Sequence, residues 1–70
     1  MNIQQDHAEI SKMLDKALLS EDPLRSFHDV LPKVQSFASV DSAWISGNTF
    51  YVRYRNAGSV SWTAPMNKSN

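Results

Sequence analysis

An α+β fold is predicted, with a two-helix hairpin packed on one face of a three-stranded antiparallel β-meander, in the order ααβββ. Three observations predict it. Apolar residues recur at three- and four-residue steps through the first half of the chain. From Asp41 the period changes to two. Turn-forming stretches, Gly47-Asn48 and Asn56-Ala57-Gly58, divide the second half into three short runs. A chain of 70 residues allows one small domain, expected over residues 1–65, with a flexible tail over 66–70.

The first helix is expected from about Ile3 to Leu19. Ile3, His7, Ile10, Leu14 and Ala17-Leu18 form one stripe, Met13 widens it, and neither Gly nor Pro interrupts the segment. Ser20-Glu21-Asp22-Pro23 reads as a stop and a restart. Asp22 is placed to accept a bond from an early helical N–H, and proline suits the first helical position. The second stripe holds Leu24, Phe27, Leu31, Val34 and Ala38, flanked by Val30 and Phe37. Pro32 interrupts it by removing one helical hydrogen bond and crowding the carbonyl of His28. The helix either ends near Leu31 or kinks and runs on to about Phe37, and the persistence of the stripe favours the second course.

In the strands, Ala43 and Ile45 alternate with Ser42, Trp44 and Ser46. Phe50, Val52 and Tyr54 alternate with Tyr51, Arg53 and Arg55, and Val60, Trp62 and Ala64 with Ser59, Ser61 and Thr63. A two-residue first loop places Trp44 opposite Tyr51 and Ile45 opposite Phe50. A three-residue second loop, with Gly58 in the left-handed conformation, places Arg55 opposite Ser59 and Val52 opposite Trp62. That register gathers the apolar side chains of all three strands on one face, whereas a two-residue loop would split them. Pro65 closes the last strand.

Composition narrows the function. The chain has no cysteine, so disulfides and thiolate metal sites are excluded and apolar burial alone must hold the fold. No apolar run is long enough to span a membrane. Residues 1–6 lack the basic and apolar regions of a secretory signal. Seven bases balance seven acids, which argues against nonspecific nucleic-acid binding. The distribution is uneven: residues 1–41 hold all seven acids and four bases, a charge of −3, and residues 42–70 hold Arg53, Arg55 and Lys68, a charge of +3.

The sheet face turned away from the helices is expected to carry Trp44, Tyr51, Arg53 and Arg55 among serines and threonines. Trp, Tyr and Arg dominate interface energetics, so these four residues are the candidate interaction surface for a protein partner. The plainer alternative is a solvated face with cross-strand aromatic pairs. Base stacking on such a platform is disfavoured by the presence of only two arginines and by an element order unlike that of the common RNA-binding sheet. His7 and His28 are the only histidines, with no His-x-x-x-His pair, so no metal site is expected. No nucleophile elbow or glycine-rich phosphate loop is present. The chain is therefore expected not to be an enzyme and to need no cofactor. Asn67-Lys68-Ser69 matches the short N-glycosylation pattern, which is common by chance.

The run Val40-Asp41-Ser42-Ala43-Trp44-Ile45-Ser46-Gly47-Asn48-Thr49-Phe50-Tyr51-Val52-Arg53-Tyr54, with Asn56-Ala57-Gly58-Ser59-Val60-Ser61-Trp62 and the Ser20–Pro23 break, resembles a small module of larger bacterial envelope proteins. That module lies near their N-termini, and some of them carry caspase-like or other peptidase domains. The similarity spans roughly residues 10–64 and has no counterpart to those catalytic residues. It implies a noncatalytic accessory module from a longer protein of the cell envelope or secreted space, packing on or masking a neighbouring domain. The alternative is a stand-alone small regulator, of the phage or toxin-neutralising kind, that binds a macromolecule directly.

Overall fold

The computed structural model describes residues 3–65. The expected tail and the Asn67-Lys68-Ser69 pattern lie outside the described residues. Helix α1 spans Ile3–Leu18 and α2 spans Pro23–Gln35; strands β1, β2 and β3 span Val40–Ser46, Thr49–Tyr54 and Gly58–Thr63. The sheet is an antiparallel meander in the order β1-β2-β3, so the architecture is the ααβββ arrangement expected from the sequence. The helices pack against each other, and α2 also lies along β1.

Asp22 begins α2 as anticipated. Its Oδ1 accepts from the Arg25 N–H at 3.2 Å and its carbonyl from the Ser26 N–H at 3.0 Å, with Pro23 in the first turn. The helix passes through Pro32 and ends at Gln35, short of Phe37. The carbonyl that proline leaves without a helical donor belongs to His28. Both residues are exposed, so the missing bond lies on the side of the helix away from the core. Two expected stripe members lie outside the core: Leu24 is 40% exposed at the start of α2, and Ala38 is exposed beyond its end.

The core is one layer between helices and sheet. Ile10, Leu14, Phe27, Val34, Phe50 and Val52 are completely shielded from solvent, and the Phe27 and Phe50 rings meet edge to face at 5.4 Å. Along β2, Phe50, Val52 and Tyr54 are buried while Arg53 is exposed, which is the alternation the period of two requires. Strand β1 departs from it. A register shift between Val40 and Ser42 leaves Asp41 out of the ladder, so Val40 and Ala43 are both buried despite their odd spacing.

The first hairpin forms in the anticipated register, with Gly47 at φ +61°, Trp44 opposite Tyr51 and Ile45 opposite Phe50. The second differs. Its three-residue loop is Arg55-Asn56-Ala57, and Val52 faces Val60 while Phe50 faces Trp62. Arg55 does not oppose Ser59, because its backbone N–H is taken by the Ser39 carbonyl at 2.9 Å. The ladder therefore closes one residue earlier, and Asn56 adopts a left-handed φ of +62°, which asparagine tolerates. Gly58 is left-handed as expected, at φ +77°. The change moves each β3 residue by two positions along β2, so every side chain keeps its face.

Candidate functional site

The outer sheet face is built around the Trp44–Tyr51 pair. These residues are directly opposed on β1 and β2, and their rings stack at 5.2 Å with planes 12° apart. Cross-strand neighbours on one face bring large side chains into contact in this way. Trp44 remains 39% exposed in spite of the stacking. Arg53 follows two residues along β2 on the same face. It is exposed, between Ser42 on one side and Ser59 on the other. The surroundings are small hydroxyl residues, among them Ser61 opposite Tyr51 and the Thr49–Thr63 pair, whose hydroxyls lie 3.3 Å apart. This face thus offers a flat aromatic platform with one cation and no acid between Ser42 and Thr63.

Arg55 does not join this platform. It stands in the second loop and folds back on the α2–β1 connection, where its Nε donates to the Ala38 carbonyl at 3.1 Å and Nη1 lies 3.6 Å from Asp41 Oδ1. Three of the four candidate residues share the outer face, and the fourth ties the loops together. Between them, an open depression of about 370 Å³ is lined by Asp41, Arg53, Tyr54, Arg55 and Asn56.

A second polar group lies on the opposite side of the sheet, under α1. His7 Nδ1 and the Tyr54 hydroxyl are hydrogen-bonded at 2.8 Å, and the His7 ring also faces Tyr54 edge-on and Trp62 at 6.3 Å. The neighbouring Asp6 accepts from the Ser39 N–H at 3.3 Å. Burial pushes the Tyr54 phenol above its ordinary value, and the Asp6 carboxylate pushes in the same direction. The cluster fastens α1 to the sheet and to the α2–β1 connection. No spacing rule joins His7 to a residue 47 positions away; only the inward phase of Tyr54 and the place of His7 in the apolar stripe point toward it.

Two stability predictions arise here. The phenol is protonated in the folded state, so its contribution is complete below the unfolded value of about 10 and is lost as pH rises through the raised folded value. As pH rises from about 10 through that raised value, chemical denaturation should show the wild type losing stability more steeply than Tyr54→Phe. The Ser39 hydroxyl is fully buried with no hydrogen-bond partner. Ser39→Ala removes an unsatisfied polar atom while keeping the backbone bonds, and should raise stability by roughly 0.5–1 kcal/mol in a thermal melt.

Among the described residues, no group of three or more His, Asp or Glu is placed to hold a metal ion, and no helix is long and apolar enough to cross a membrane. No protein-family model, curated protein or solved structure matches the chain.

Proposed function

We propose that the chain is a noncatalytic protein-interaction module whose outer sheet face docks on a neighbouring domain or partner protein. The exposed Trp44 stacked on Tyr51, on the side of the sheet that the helices leave uncovered, carries this reading. The pair is pre-ordered by stacking, so little side-chain freedom is lost on contact, and aromatic anchors of this kind supply most of the energy of an interface. Arg53 adds a cation beside the platform, which suits a partner surface with a carboxylate next to an apolar patch. Similarity of the strand region to an accessory module of envelope proteins agrees with a partner in the same, longer chain. A free-standing regulator would use the same face, and the length of the reading frame in the parent gene separates the two.

Hydroxyl-radical footprinting tests the reading. Labelling of Trp44 and Tyr51 is compared between the isolated chain and the protein in its native cellular setting. Severalfold protection of both rings in the cell, lost in the Arg53→Glu variant, supports docking. Equal labelling in the two settings rejects it, as does protection reproduced by single-stranded oligonucleotide at low salt.

A further inference from the structure

The two edges of the sheet are treated differently. On β1, the register shift at Asp41 distorts the ladder, Asp41 supplies a charge, and Gln35 Nε2 from α2 occupies the outward carbonyl of Ala43 at 3.1 Å. These are the devices by which proteins keep an edge strand from pairing further. Strand β3 has none of them: from Gly58 to Ala64 there is no charge, no proline and no register shift against β2.

The phase of its backbone follows from two bonds. The Arg55 N–H points toward Ser39 on the β1 side, so Phe50, Val52 and Tyr54 direct their backbone groups at β3. At the far end the Ala64 N–H bonds to the Asn48 carbonyl at 2.8 Å, and the Ala64 carbonyl accepts from Asn48 Nδ2. Val60 and Trp62 therefore face β2 with their N–H and C=O, and Ser59, Ser61 and Thr63 present theirs outward, away from the sheet.

We propose that β3 is a homodimer edge, pairing antiparallel with β3 of a second copy about a two-fold axis at Ser61. The sequence around Ser61 is self-complementary in this register. Ser61 exchanges both backbone bonds with its own copy, and Ser59 meets Thr63, hydroxyl residue against hydroxyl residue. On the helix side, Val60 meets Trp62 of the other copy. Both are only half-buried in the single chain although they pack against its core, and the pairing covers their free edges. Charge does not oppose a second copy: the formal net charge is zero, and the paired stretch from Gly58 to Ala64 carries no charged residue. The result is a continuous six-stranded sheet, with the Trp44–Tyr51 platforms at its two ends, outside the new contact.

Sedimentation equilibrium of the full chain, from micromolar concentration to about 1 mM, measures the mass directly. The wild type is expected to approach twice 7.9 kDa. Ser61→Pro removes an outward N–H and no bond to β2, so it should remain a single-chain species with an unchanged circular dichroism spectrum. Ser61→Lys and Ser61→Glu each place like charges on the axis and should each be monomeric alone, while their mixture recovers the doubled mass. A wild type that stays at one chain throughout the range overturns the proposal. A dimer indifferent to Ser61→Pro, or a Lys and Glu pair that fails to recombine, overturns it as well.

Discussion

Phe50→Ala is expected to leave the chain largely unfolded at 25 °C. Phe50 is completely buried on the central strand and meets Phe27 of α2 edge to face at 5.4 Å, so its ring is a central contact in the core that sheet and helices share. Truncating a buried phenylalanine costs about 3–5 kcal/mol, from lost transfer energy and the cavity left behind. A domain of this size has a total stability of roughly 5 kcal/mol, without a disulfide to supplement it. Far-ultraviolet circular dichroism through a urea titration checks the expectation. Phe50→Leu, which keeps most of the volume, should cost under about 2 kcal/mol and retain a cooperative transition. A Phe50→Ala variant that melts within a few degrees of the wild type would show that this ring does not bridge the layers.

Val52→Asp should be at least as damaging, for a different reason. Val52 is fully buried between Ala43 and Val60 on the middle strand. Among the described residues no charged side chain is buried, so the shielded core around it offers no cation to receive a carboxylate. The variant must bury a charge or a protonated acid without a partner, at a cost of at least about 3 kcal/mol. The same substituent one residue on, Arg53→Asp, lies on the exposed face and should cost no more than about 1 kcal/mol. The contrast between adjacent positions isolates the face from the chemistry, because both variants introduce the same side chain on the same strand.

The alternation behind that contrast was legible in the sequence, because β2 is an uninterrupted run with a period of two. The helix restart was legible for a similar local reason: Asp22 and Pro23 act on backbone groups within one turn. Features set by distant partners were not. The displacement at Asp41 reads as ordinary sequence, and only the simultaneous burial of Val40 and Ala43 exposes it. The second loop starts at Arg55 because Ser39 and Ala38, far back along the chain, take its backbone and side-chain donors. That same pull removes Arg55 from the aromatic platform to which strict alternation assigned it. The His7–Tyr54 link depends on how α1 lies across the sheet, which no local spacing encodes. Trp44 and Tyr51 were placed correctly opposite each other because a two-residue turn fixes its flanking pairs with no help from the rest of the fold.

Proton–proton nuclear Overhauser spectroscopy reads the sidedness of β2 most directly. Cross-peaks are expected between the Phe50 and Phe27 rings, while the Tyr51 ring should show contacts to Trp44 and none to the methyl groups of Ile10, Leu14 or Val34. Tyr51 or Arg53 protons in contact with those helix methyl groups, and a Phe50 ring without them, would contradict the account.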